Sequence, residues 1–563
     1  MTESATSSLN RRKWWRCWRI CNFSRLSQPA HMKFYWSYFI LLFSFSLQAQ
    51  KDPGRPLLDV LHYTFALQLN DDNNTIKGEA SITIAFLQTP AAFDLDLYKK
   101  RTDGLGMTVS RVLEKGSPVS FLQEATTLHI YTAAQAGDTV TYTIHYAGIP
   151  ADGLIIDKTQ HGQRSFFGDN WPNRAHHWLP CIDHPADKAS VDFIVTAPEH
   201  YQVVSNGVLV ESSNLPEQMH RTHWQETVPL PTKVMTIGVA AFAVRLAGEL
   251  PGIPVYSWVY PEDSSKGWYD YALAIRILPW FINKIGPYPY KKLANVQSKT
   301  RFGGMENAGA IFYAENLVTG NRHSEALLAH EIAHQWFGNS ATESSWPHIW
   351  LSEGMASFMT HQYLLETYGK DSLLQRMKED RQAVIHWHRQ RPAPVVDSSA
   401  GNDLFALLND NSYKKGAWVL YMLQQQLGDA FWPALRHYYA NFAGKNAGTR
   451  DFQAAVEQSS GKDLDAFFQQ WLYRSGHPVL QTSWNYLANQ KAIRLTIVQR
   501  QDSVYAFPLQ VAVQTGAGVQ VQTVKVAERT SSFLLPADSK TATIEIDPGV
   551  QLLFELYQDK KNR

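Results

Sequence analysis

In the stretch His330–Glu353, HEIAHQWFGNSATESSWPHIWLSE, two histidines stand four residues apart with a glutamate directly after the first. On a helix that spacing stacks His330 and His334 one turn apart on the same face. Two imidazoles so placed hold one zinc ion, and Glu331 projects toward the same groove, where a general base is needed. Eighteen residues separate His334 from Glu353, which lies in LSEGMASF, a stretch that again reads as helix. A carboxylate from this second helix completes a His, His, Glu set and leaves the fourth tetrahedral position for water. The plain alternative is a chance HExxH on an amphipathic helix. Against it, Ala329, Ile332, Ala333, Trp336 and Phe337 fill the flanking positions with core-type residues, so the helix is expected to be buried. A buried helix seldom carries His, Glu and His on one face without a metal or partner to offset their desolvation.

Two further motifs flank this stretch. Upstream stands Gly303-Gly304-Met305-Glu306-Asn307, a GxMEN pattern, and downstream Tyr413-Lys414-Lys415-Gly416-Ala417, a YxKGA pattern. With HEIAHQWFGN and WLSEGMASF between them, the chain resembles the zinc aminopeptidases of the gluzincin class, the family of aminopeptidase N and leukotriene hydrolase, in its short three-domain bacterial form. The resemblance implies one zinc ion per chain, held by His330, His334 and Glu353, with Glu331 as general base and Tyr413 as the hydroxyl donor to the oxyanion. It implies peptide substrates with a free N-terminus, removed one residue at a time. Glu306 is the natural counter-charge for an α-amine, and Gly303 and Gly304, with Met305 and Asn307 beside them, would let a substrate backbone approach closely. The segment WPNRAHHWLPCIDHP resembles the family's FPCxDxP region, where the preceding loop supplies a Gln or Glu to the amine pocket. Here Asp169, Asn170 and Trp171 occupy that loop, so Asp169 is the candidate for the acidic role. Two other readings stay open from the sequence: an epoxide-hydrolase activity on the same scaffold, and a non-catalytic secreted binding module.

A chain of 563 residues has length for several cores, and its net charge of +1 implies no nucleic-acid partner. Of three cysteines, Cys17 and Cys21 lie near the N-terminus, which leaves Cys181 alone in the body and excludes a disulfide framework there. Cys181 reads as a small buried apolar residue. Residues 1–49 read as a targeting segment with translation expected to begin at Met32, because FYWSYFILLFSFSLQAQ after Lys33 combines a short apolar run with small-residue cleavage after Ala49. The body is therefore expected to be exported, periplasmic or secreted, with no stable membrane span after removal; a membrane tether through an uncleaved segment is the alternative. His176, His177 and His184 lack ordered ligand spacing and read as polar loop histidines, and His386 and His388 face differently on a helix.

The periodicity predicts a multidomain α+β chain. Residues 50–250 alternate in short strands (HYTFALQL, a turn at Asp71–Asn74, GEASITIAF, then DTVTYTIHYAG, SVDFIVTAP, YQVVSNGVLV and MTIGVAAFAV), an N-terminal β-sandwich or saddle. Residues 251–478 turn helical after a strand-like opening. By resemblance they form a thermolysin-like α/β catalytic domain with a helical lobe, its metal helix starting at Ser324 and stopping near Gly338. Residues 479–563 return to alternation as a small C-terminal β-sandwich. The further helical domain that many relatives carry is not expected.

Overall fold

The computed structural model describes residues 57–401 and 403–557; the expected targeting segment and Met32 lie outside them. In the first part, strand Leu58–Gln68 alternates buried Val60, Tyr63, Phe65 and Leu67 with half-exposed neighbours, the pattern of a sheet with one face on a core. It turns at Asn70, whose side-chain oxygen accepts from the amides of Asp72 and Asn73, and returns as Ile76–Phe86, antiparallel. This hairpin sits inside an eight-stranded sheet whose central neighbour, Ala189–Pro198, pairs parallel to Leu58–Gln68. A three-stranded and a four-stranded sheet complete this β part.

Two expected strands divide. YQVVSNGVLV becomes Gln202–Ser205 in the four-stranded sheet and Val208–Leu215 in the eight-stranded one. Gly207 turns between them at φ +72°, where a Cβ would lie 1.8 Å from the Gln225 carbonyl oxygen. Only glycine fits so close a backbone approach. MTIGVAAFAV likewise ends as Ile237–Ala240, and Ala243–Leu250 opens a new five-stranded sheet by pairing with Ile253–Val259. This five-stranded sheet therefore begins ahead of residue 250, and a boundary there cuts its first hairpin.

That sheet continues with Leu293–Ser298 and Ala310–Ala314, both parallel additions, and ends on the two-residue antiparallel strand Gly304–Met305. The GGMEN motif thus lies at the sheet's edge. Beside it runs the helix Glu325–Ala333, followed by Trp350–Tyr368, Lys370–Gln390 and a lobe of shorter helices. Ser324 precedes the helix as expected, but its hydroxyl donates to the Leu317 carbonyl and accepts from none of the helix amides. Two small sheets close the chain and bury Ile493, Leu495 and Ile497 on one with Leu509, Val511 and Val513 on the other. Among the described residues no helix is long and apolar enough to cross a membrane.

The β part is clamped to the catalytic part around the GGMEN turn. Asn206 donates to the carbonyls of Val234 (2.9 Å) and Ala308 (2.8 Å), and Lys292 to those of Ser205 (2.7 Å) and Gly309 (3.0 Å). Lys233 meets Glu343 at 2.5 Å with both side chains fully buried. Lys188, nearby, donates to the carbonyls of Asn339 and Ser340 and so is not available to replace it. Lys233→Met should leave Glu343 buried and uncompensated, at a cost of roughly 3–5 kcal/mol. The check is a fall in thermal midpoint that the double variant Lys233→Met, Glu343→Leu largely reverses.

Candidate active site

The helix Glu325–Ala333 and its C-terminal residue His334 deliver both histidines to one side, and the first turn of Trp350–Tyr368 delivers Glu353. The Nε2 atoms of His330 and His334 lie 3.1 Å apart, and Glu353 Oε2 is 3.5 Å from the first and 3.3 Å from the second. Ligands about 3.3 Å apart are what a tetrahedral zinc with bonds of ~2.0–2.1 Å requires. All three side chains are buried, and they form the one such donor cluster among the described residues. The His334 Nδ1 atom faces the Phe337 carbonyl at 3.1 Å, which commits its proton there and leaves Nε2 free to coordinate. Despite burial, His334 and His330 hold the Glu353 carboxyl far below its ordinary range, and burial of His334 is outweighed by Glu353, which lifts it to about 9. Two imidazoles and one carboxylate suit zinc by chemistry as well as by distance.

Glu331 faces the edge strand. A Cβ on Gly304 would lie 2.2 Å from Glu331 Oε1 and 2.5 Å from its Cδ, so only glycine leaves the carboxylate where it stands. Gly303 has no such constraint, with Leu327 Cδ2 at 3.8 Å its nearest neighbour. Burial raises the Glu331 carboxyl well above its ordinary value, and the charges of Glu306 and Glu353 add to that against His334. Gly304→Ala should push the carboxylate aside and lower kcat/KM by about 10²-fold, the usual effect of misplacing a reacting group by an ångström. Zinc content should be retained, and metal analysis beside kinetics checks both.

Glu306 is 5% exposed and its Oε1 is buried without a hydrogen-bond partner among the described residues. Burial pushes its carboxyl up, against the opposing charge of His334. Its backbone carbonyl is pinned twice, by Gln335 Nε2 (3.0 Å) and Asn339 Nδ2 (2.6 Å), while Gln335 Oε1 accepts from the Gly309 amide (2.8 Å). Gln335 and Asn339 were not assigned from the sequence. The signal was present, since Gln335 follows Glu331 by four residues and so shares its helix face. Met305 and Asn307 are buried beside this turn, and neither polar atom of the Asn307 side chain finds a partner among the described residues.

The Tyr413 ring lies parallel to His330, with centroids 5.9 Å apart and planes at 15°. Burial first, then the carboxylates Glu353, Glu306 and Glu331, raise its phenol well above its ordinary value, so it is a donor at neutral pH.

Asp169 does not join this group. It is fully buried, bridges to Arg174 Nη2 at 3.1 Å and accepts from Thr300 Oγ1 at 3.2 Å. A carboxylate already paired to a guanidinium in a dry site has no charge left for an ammonium. Cys181 is buried, its thiol pushed up by burial. His176 is paired with Asp183 at 2.8 Å and His177 stacks on Tyr98, as structural loop residues do.

Comparison with known proteins fits this architecture. Probable aminopeptidase 2 of Sulfurisphaera tokodaii is 26% identical over 401 residues, covering 68% of this chain and 51% of that protein. Aminopeptidase M1-C of Oryza sativa subsp. japonica is 30% identical over 327 residues, covering 54% and 36%. The chain thus spans between about a third and half the length of these curated relatives. A crystal structure of Legionella pneumophila aminopeptidase A in complex with aspartic acid has the same fold, with TM-score 0.79 and 18% identity over 90% of this chain and 60% of that one. Residues 60–234 match the Peptidase M1 N-terminal domain and residues 269–471 the Peptidase family M1 domain, and with the metal-ligand set inside the second match the chain belongs to peptidase family M1.

Proposed function

We propose that this chain is a zinc-dependent aminopeptidase that removes single residues from peptides with a free N-terminus. The observation that carries the reading is Glu306, whose carboxylate oxygen is buried, unpartnered and beside the donor set. An unpaired buried carboxylate is costly on its own and is relieved by an incoming ammonium.

His330, His334 and Glu353 would hold one zinc ion. A zinc ion there would supply Lewis acidity toward a carbonyl oxygen and a bound water. Glu331, lodged against Gly304, takes the proton of the attacking water and returns it to the leaving amine. Tyr413 donates its hydroxyl to the oxygen that gains charge. The free edge of Gly304–Met305 aligns the substrate backbone by strand addition, and Glu306 fixes the ammonium so that the cut falls one residue in.

The test is a panel of aminoacyl-anilides beside their N-acetylated counterparts, with zinc-loaded protein. Cleavage confined to the free-amine set supports the proposal, and Glu306→Ala should then lose that discrimination. Equal cleavage of blocked substrates would remove Glu306 as an amine anchor. Zinc-bound protein that cleaves nothing would end the aminopeptidase reading.

A further inference from the structure

We infer that Trp171, Phe302, Trp346 and Phe405 form the pocket for the side chain of the substrate's first residue, and that this pocket selects apolar and aromatic residues. The inference rests on the aminopeptidase reading and adds the substrate class.

Four rings from four separate segments converge. Trp171 contacts Phe302 at 6.0 Å, Trp346 at 5.9 Å and Phe405 at 5.9 Å between centroids, and Phe302 stacks on Phe405 at 6.4 Å. Three of the four segments lead to residues of the proposed machinery. Phe302 directly precedes Gly303-Gly304, Trp346 lies in the turn before the Glu353 helix, and Phe405 lies in the turn before Tyr413. Trp171 comes from the β part, two residues after Asp169. The cluster therefore borders the cleft at the GGMEN end, where the residue bearing the ammonium must sit if Glu306 holds it.

Two observations indicate that a ligand completes this surface. Phe405 is 46% exposed, so the cluster has an open aromatic mouth. Trp171 is 2% exposed, yet its indole N–H finds no acceptor among the described residues, and since an apolar side chain offers none, the group that completes it is a backbone carbonyl of the same substrate. The surrounding charges decide the chemistry of the occupant. Arg174 lies over Phe302 (5.9 Å) and Phe405 (5.6 Å), but it is paired with Asp169 (3.1 Å) and Asp152 (2.9 Å). Arg301, beside Phe302, is also on Asp152 (2.8 Å), and Lys233, 6.0 Å over Trp346, is on Glu343. Every charge against the rings already has its partner, which leaves dispersion and apolar burial as the basis of recognition.

The test compares kcat/KM on Leu-, Phe-, Ala-, Glu- and Arg-anilides for the zinc-loaded wild type, Phe405→Ala and Trp171→Ala. The wild type should favour Leu and Phe over the other three by about tenfold or more, and Phe405→Ala should reduce the Leu-to-Ala ratio by about tenfold. Phe405 is half exposed, so its variant keeps the test alive if Trp171→Ala does not fold. A wild-type preference for Glu or Arg, or a Phe405→Ala variant that slows all substrates equally, overturns the pocket and leaves the aminopeptidase standing. No cleavage of any free-amine anilide overturns both.

Discussion

Glu331→Gln is expected to lower kcat by about 10³–10⁴-fold while zinc content and thermal midpoint are retained. The amide keeps the volume that lies against Gly304, and it buries no charge, so neither the edge strand nor the donor set has reason to move. What is lost is the capacity to accept a proton. Glu353 is paired with the two histidines, and Glu306 is proposed to take the ammonium, so neither is expected to stand in. The same carboxylate must serve in attack and in departure, which places the effect at the upper end of the range for one acid–base group. Metal analysis, a melting curve and initial rates on a free-amine anilide check it. A variant that loses zinc would make Glu331 part of the metal site instead, and one that retains a tenth of the activity would remove it as the base.

The metal site was legible because its information is local: i, i+4 spacing and one carboxylate on the following helix specify a donor set before any tertiary contact is known. The three-part order β, α/β, β was legible for the same reason, since periods of two and 3.6 survive in short windows. What needed the third dimension was partner identity. Asp169 stood in the expected loop, but nothing in the loop announced that Arg174, five residues on, would neutralise it. Gly207 and the strand ending at Ala240 read as continuous β because alternation does not reveal which sheet a strand joins. The two glycines of GGMEN look equivalent in the sequence. Only the packing of Gly304 against Glu331 separates a glycine that the base requires from Gly303, which meets nothing closer than Leu327.

Tyr413→Phe should cost about 10²–10³-fold in kcat with KM nearly unchanged, because the lost hydroxyl, which meets Glu353 in the free protein, is proposed to donate to the carbonyl oxygen as charge develops there. The ring itself should stay in place. Tyr413 lies in a π-helical turn, Asn411–Lys415, an uncommon conformation that is held from several sides. The Asn409 side chain accepts from the amides of Asn411 (2.8 Å) and Ser412 (3.1 Å), Ser412 Oγ donates to the Leu407 carbonyl (2.7 Å), and Lys415 Nζ to the Gly476 carbonyl (2.9 Å). The helix that follows crosses the Glu353 helix at Gly416 and Gly354, so closely that a Cβ on either glycine would stand 2.9 Å from the other's Cα. That contact fixes how Glu353 and Tyr413 lie relative to each other, since Gly354 follows Glu353 and Gly416 follows the Tyr413 turn. Phenylalanine satisfies all of this packing and preserves the parallel ring contact with His330. A loss in kcat that came with weaker zinc binding would mean that Tyr413 supports the metal ligands, and a loss below tenfold would remove it as the oxyanion donor.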